Sequence, residues 1–356
     1  MCPRGAVGAL GAADERVVVT RLTVLQSFPT PRPTTNPYLS MLGNALRDAP
    51  EVTVLNFRWR TALGARFDVF HVHWPEILVT GRTPARQLAR QALTLALVCR
   101  LRLTRTPIVR TMHNLHRPVG LSRRQEVLLT LLDRQTALRI RLNETTAGAT
   151  GLRATTIRHG HYLSWYANHP RAPMVEGRIG FAGWIRRYKG VEDLVKAFRQ
   201  TDAISHGLTL RIGGLPSSAE LARQVTALAA GDPRITIDLR FLEDRKFVDL
   251  VTSAELVVLP YRFMHNSGGA LAALSLGRAI LVPDNATNQR LAAEVGPGWV
   301  YRYSGAISAT AIVETMALMH ANTVREPPNL NARDWARAGI EHVEAYRLAV
   351  AMANPT

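Results

Sequence analysis

The chain has 356 residues, 47% of them hydrophobic and 20% charged, and its 44 Lys and Arg against 27 Asp and Glu give a formal charge of +17. That length accommodates two domains with separate cores, and the apolar content with a mean hydropathy near zero excludes a disordered chain. Cys2 and Cys99 are too few for a disulfide framework or a cysteine-based zinc site, and the longest apolar run, 92–99, falls short of the roughly 18 residues that cross a bilayer.

Residues 1–15 have an early arginine but lack the apolar core of a signal peptide, and they read as a loose N-terminus. Strands are expected at 17–25, 52–57, 67–73, 106–112 and 137–143, with helices at 37–48, 83–103 and 121–136. After prolines at 170 and 173 the pattern restarts. Strands follow at 177–183, 208–214, 234–240, 255–261, 278–283 and 298–303, with helices at 190–200, 217–230, 244–253, 268–277 and 286–294. Such alternation predicts parallel sheets covered on both faces. The reading is an α/β chain of two Rossmann-like, doubly wound domains, 16–170 and 171–330, facing across a cleft. Ligands of such sheets sit at the carboxyl ends of the strands. A last helix near 332–350 carries Trp335, Ile340, Val343 and Tyr346 as an anchoring apolar stripe.

Polar chemistry gathers at expected strand ends. HNSGG, 265–269, places Asn266, Ser267, Gly268 and Gly269 where a strand run gives way to a helix of small residues. Free N–H groups at a helix start attract anions, and glycines admit a ligand close to the backbone. The plainer alternative is that Ser267 only caps the helix and the glycines only make the turn. GWIRRYKG presents Arg186, Arg187 and Lys189 before Gly190, a set suited to a diphosphate, with a solvated basic turn as the alternative. Both loops fall at the same expected sheet edge and support each other. Histidines cluster in HVHWPE (71–76), TMHNLH (111–116) and RHGHY (158–162), without the spacing of a metal-binding helix. His71 and His116 read as structural, whereas His113 ends a strand run and begins a turn with Asn114.

In these motifs the chain resembles the GT-B glycosyltransferases, in their glycogen-synthase-like, nucleotide-sugar-dependent group. The resemblance rests on FAGWIRRYKGVEDLVKAF, LPYRFMHNSGGALAALSLGRA, FHVHWPE and TMHNLH, and it spans most of 16–350. It implies an acceptor-binding first domain, a nucleotide-sugar-binding second domain, and a helix at 331–356 that crosses back to the first. Position by position, it implies that Arg186 and Lys189 meet the donor diphosphate together with Asn266, Ser267, Gly268 and Gly269. It implies further that His113 touches the donor sugar and that Glu76 lies on the acceptor side. The widespread pattern has two glutamates eight positions apart, where this chain has Met264 and Ala272. The variant in this chain looks like a bacterial subgroup of exopolysaccharide or lipid-linked glycan assembly.

The expected reaction moves a hexosyl unit from a GDP- or UDP-linked sugar to a glycan or lipid-linked acceptor. No DxD pair falls on a strand-end loop, so no metal and no cofactor beyond the donor are expected. An inverting reaction needs a general base, for which Glu76 is the first candidate and His113 the second, whereas a retaining reaction needs none; both courses are open at this point. Two alternatives are weighed. One is a nucleotide-sugar epimerase of the same fold. The other is a nucleic-acid-binding protein, against which stands the lack of any recognised module. The charge points instead to an anionic membrane surface, contacted from the cytoplasm through 81–105. There Arg82, Arg86 and Arg90 stand at four-residue spacing, and Leu93, Leu97 and Leu101 follow at the same spacing; an ordinary helix that covers the sheet with its arginines in water is the equal alternative.

Overall fold

A computed structural model describes residues 21–146, 153–203, 207–322 and 326–353. The expected loose terminus and the start of the first expected strand lie outside them. The first half runs β1 (Leu22–Gln26), α1 (Pro37–Asp48), β2 (Val52–Leu55), α2 (Trp59–Gly64), β3 (Val69–Val72), α3 (Glu76–Val79), α4 (Pro84–Leu103), β4 (Ile108–Met112), α5 (Arg123–Arg134), β5 (Thr136–Arg141), β6 (Ala154–Thr156) and α6 (Leu163–Tyr166). The second runs β7 (Arg178–Ala182), α7 (Val191–Arg199), β8 (Thr209–Gly213), α8 (Ala219–Ala229), β9 (Ile235–Asp238), α9 (Asp244–Ser253), β10 (Leu256–Val258), α10 (Gly268–Ser275), β11 (Ala279–Pro283), α11 (Ala286–Val295), β12 (Val300–Tyr303) and α12 (Ala309–Ala321). The final helix, α13, spans Trp335–Ala353.

The strands form two six-stranded sheets, ordered β2-β1-β3-β4-β5-β6 and β12-β11-β10-β7-β8-β9. Every pairing in both is parallel. Helices cover both faces, so central strands are apolar on both sides. All four residues of β3 and all three of β10 are buried. Strand order reverses between β1 and β3 in one sheet and between β7 and β10 in the other. A crevice opens at such a switch point because the flanking connections leave to opposite faces. The loops after β3, β7 and β10 are those that carry HVHWPE, GWIRRYKG and HNSGG.

α13 lies against α1 in the first half, where a Cβ on Gly339 would come 3.0 Å from the Ala45 carbonyl. Trp335, Val343 and Tyr346 are buried as the expected stripe requires, but Ile340 is 61% exposed and belongs to the outer face. The leucine stripe of α4 follows the sheet-covering alternative. Leu97 and Leu101 are buried and Leu93 is half-buried, so that row faces the core, and the exposed leucines are Leu88, Leu95 and Leu103.

Candidate active site

Tyr261, just beyond β10, organises the second-domain wall. Lys189 holds its Nζ 5.1 Å above the Tyr261 ring, and the Tyr261 hydroxyl is hydrogen-bonded to the Ser267 side chain. That hydroxyl is also 3.3 Å from where a Cβ of Gly269 would stand. Lys189, Ser267 and Gly269 are thereby gathered round one buried ring. The turn that delivers Lys189 depends on Gly190, whose φ is +64° and whose Cβ would meet the Pro260 carbonyl at 2.2 Å, so no side chain fits there. Burial pulls the Lys189 ammonium down from 10.5 to about 8, with a smaller push from Arg186 and an opposing effect of Tyr188. No carboxylate pairs with Lys189 or Arg186 among the described residues. Arg187 differs: it bonds Glu220 at 2.9 Å and Gln224 at 3.2 Å, and is turned away to α8.

Ser267 is the N-cap of α10, its hydroxyl accepting from Ala270 N–H at 3.1 Å, so the capping reading holds. It does not displace the anion reading. The N–H groups of Gly268 and Gly269 find no acceptor among the described residues. A Cβ on Gly268 would lie 2.9 Å from the Tyr162 hydroxyl and 3.8 Å from His159 Nε2. Asn266 is spent on a clasp between the two halves. Its Nδ2 donates to the His113 carbonyl at 3.2 Å, and its Oδ1 accepts from Asn143 at 2.6 Å. Met264, at one of the two missing glutamate positions, is buried and accepts a weak bond from Asn288, and Ala272, at the other, is buried as well.

On the first-domain wall, His113 follows β4 and stacks on Trp74, ring centroids 3.8 Å apart and planes 14° from parallel. Trp74 takes a φ of 41°, in the left-handed region that a bulky residue rarely adopts. Two residues on, Glu76 opens α3, half-buried, its carboxylate without hydrogen bond or ion pair among the described residues. His113 Nε2 meets His73 Nδ1 at 3.1 Å, and His73 Nε2 meets Gln26 Oε1 at 3.2 Å. His71 lies between Tyr346 (2.7 Å) and Thr111 (2.8 Å). Burial above all, then the neighbouring imidazoles, holds His71 and His113 well below the usual histidine range. Burial holds His73 at about 3. These rings are neutral at physiological pH.

A cavity of about 480 Å³ joins the walls, lined by Asn143, His159, Met264, Ser267, Thr287 and Arg290 among others. Lys189, Ser267 and Gly269 thus meet round Tyr261, Asn266 bonds the His113 carbonyl, and of these residues Asn266 and Ser267 line the cavity. Arg186 stands on the loop of Lys189, and Glu76 opens α3 two residues after Trp74, the ring that stacks on His113. His116 is exposed and touches none of these groups. Sequence reading did not single out Gln26, Tyr38, Asn143 or Tyr162. Only the RHGHY cluster signalled the segment of His159 and Tyr162, and Gln26 had no local signal because it ends an ordinary apolar strand.

Two parallel six-stranded sheets, each with one switch point in its strand order, define the GT-B fold. Among solved structures, Anabaena HepE in complex with UDP shares the fold at a TM-score of 0.59 and 15% identity, over 92% of this chain and 99% of that one. Sucrose-phosphate synthase from Thermosynechococcus elongatus shares it at 0.57 and 16%, over 93% of this chain and 97% of that one. No protein-family model matches. Two curated proteins of Xanthomonas campestris pv. campestris, each named GDP-mannose:glycolipid 4-beta-D-mannosyltransferase, are 41% and 40% identical over 326 residues, 92% of this chain and 92% of each relative. The chain belongs to their family of nucleotide-sugar glycosyltransferases. The epimerase alternative is thereby set aside, since the proteins that share sequence along nearly the whole length are transferases.

Proposed function

We propose that the protein transfers a mannosyl unit from GDP-mannose to a lipid-linked oligosaccharide with a β-linked product. The reading is supported by the names of the two relatives and by one feature of the cleft: a half-buried lysine with no counter-ion, set against unpaired helix N–H groups. Lys189, Arg186, Gly268 and Gly269 receive the diphosphate and stabilise charge on the departing nucleotide, and we propose that no metal ion is required. The first domain binds the acceptor and the second the donor. An α-linked sugar nucleotide giving a β-product inverts at the reacting carbon, so a base must take the acceptor hydroxyl proton. Glu76, an unpaired carboxylate two residues after the Trp74 ring that stacks on His113, fills that role, and His113 faces the donor sugar.

No helix among the described residues is long and apolar enough to cross a membrane. The enzyme instead meets its lipid-linked acceptor at the bilayer surface, from the cytoplasmic side. Ile77, Leu88, Leu95, Leu103 and Val127 are all about half or more exposed on α3, α4 and α5, which pack on one another. Exposed Arg82, Arg86, Arg102, Arg123 and Arg124 stand on the same helices or beside them. Apolar side chains rimmed by arginine suit an anionic interface.

The test is transfer from radiolabelled GDP-mannose, UDP-glucose and UDP-N-acetylglucosamine to lipid-linked oligosaccharide in anionic vesicles. Label from GDP-mannose alone should enter the lipid fraction. Incorporation from a UDP-sugar only would overturn the donor assignment.

A further inference from the structure

One continuous hydrogen-bond chain runs from the buried end of α13 to the cleft. Gln26 Nε2 donates to the Tyr346 hydroxyl at 3.2 Å, so that hydroxyl gives its own proton to His71 Nδ1, 2.7 Å away. His71 then donates from Nε2 to Thr111 Oγ1 at 2.8 Å, and the Thr111 hydroxyl bonds to Tyr38. In the other direction, Gln26 Oε1 takes a proton donor from His73 Nε2 at 3.2 Å. His73, being neutral, has only a lone pair left on Nδ1, and His113 Nε2 must donate to it across 3.1 Å. The second ring nitrogen of His113, Nδ1, has no partner among the described residues. One amide sets the direction of every bond: turning it end for end reverses them all.

We infer that Gln26 is a positioning residue which, acting through His73, keeps the His113 proton on Nε2, so that Nδ1 meets the cleft as a hydrogen-bond acceptor for a sugar hydroxyl. This rests on the reading that His113 faces the donor sugar. Gln26 is fully buried in the sheet, on the strand at the switch point, and Tyr346 reaches it from a helix 320 residues further along the chain. Besides each other, the titratable groups that act on the pair are His342 on His73, and His159 and Arg110 on His113, each favouring the neutral imidazole, and the neutral His71 ring lies 4.2 Å from that of His73.

The test is the tautomer itself, read by long-range proton–nitrogen correlation on the full-length protein with labelled histidine, near neutral pH. His113 is assigned by its loss in His113→Gln. Wild type should show both His73 and His113 protonated on Nε2. A proton on Nδ1 of His113 overturns the inference. Gln26→Leu should leave His113 a mixture of both tautomers and lower kcat about 10- to 100-fold, with donor KM changed by less than about threefold. Retention of a single Nε2–H tautomer in Gln26→Leu also overturns it. Gln26→Glu keeps the acceptor for His73 and should keep the tautomer. Its carboxylate favours protonated imidazole, so the acidic limb of the kcat–pH profile should move to higher pH, a shift that a purely structural role would not produce. Unchanged transfer in His113→Gln would instead remove His113 from the sugar site, and the tautomer measurement tells the two failures apart.

Discussion

The Lys189 ammonium stands 5.1 Å over the face of Tyr261, with a ring rather than a carboxylate as its partner. A cation held this way is ready for an anionic ligand. Lys189→Ala should weaken donor binding about 10- to 100-fold, the loss of one charge-assisted contact of about 1.5–3 kcal/mol. Arg187→Ala should not, since Arg187 is paired with Glu220. Titration calorimetry with GDP checks both. Equal losses would mean general charge and no specific site.

The same lysine predicts a pH dependence. Its free-state value of about 8 means that the ammonium is lost as pH rises through that range, whereas bound diphosphate favours the charged form. GDP affinity in wild type should therefore fall as pH rises from 7 to 9. In Lys189→Ala this fall should be largely gone.

Glu76→Gln keeps shape and removes proton acceptance. Turnover should drop about 10²- to 10⁴-fold with GDP affinity unchanged. A near-normal rate would take the base assignment away from Glu76.

His73, His159 and His342 are buried, and burial is the main cause that holds them at about 3, 4 and 4. Their folded values lie below the unfolded 6.5, so the unfolded chain binds more protons below that pH. Stability is full above pH 6.5 and is lost as pH falls toward 4, by up to about 1.4 kcal/mol per pH unit for each group. His342 bonds through Nδ1 to the Ala338 carbonyl, 2.6 Å away, while its Nε2 is buried without a partner. His342→Met should cut the acid slope by about one proton at little cost near neutral pH. Denaturant titrations at several pH values read this, and an unchanged slope would contradict the neutral-histidine description.

Much of this was legible in the chain. Strands β3, β7 and β10 were expected because buried parallel strands must be continuously apolar, and their polar exits were therefore visible as loops. α1 matches its expected span because its start carries a clear signal, Asn36 capping before Pro37. What was not legible depends on distance along the chain. The clasp of Asn143 with Asn266 and the bond of Gln26 with Tyr346 join residues more than a hundred positions apart. The α4 leucine row stayed open between sheet and membrane because four-residue spacing marks a helical face without telling which side is solvent. α12 escaped because its alanines and methionines carry almost no facial contrast.

The membrane surface can be tested on the side chains the structure exposes. Wild type should sediment with anionic vesicles at low salt and release as salt rises. Leu88→Ser with Leu95→Ser and Leu103→Ser should weaken binding, whereas Leu97→Ser should act through stability, because Leu97 is fully buried. Sedimentation unaffected by the triple change would move the contact elsewhere.

The central claim is sugar transfer from GDP-mannose through this cleft. It is tested most directly by GDP release from GDP-mannose with and without lipid-linked oligosaccharide, in wild type and Lys189→Ala, with the anomeric configuration of the product read by NMR. Acceptor-dependent release, a β-mannosidic product and a deep loss in Lys189→Ala are predicted. Acceptor-dependent release undiminished in Lys189→Ala, or an α-linked product, would contradict the account.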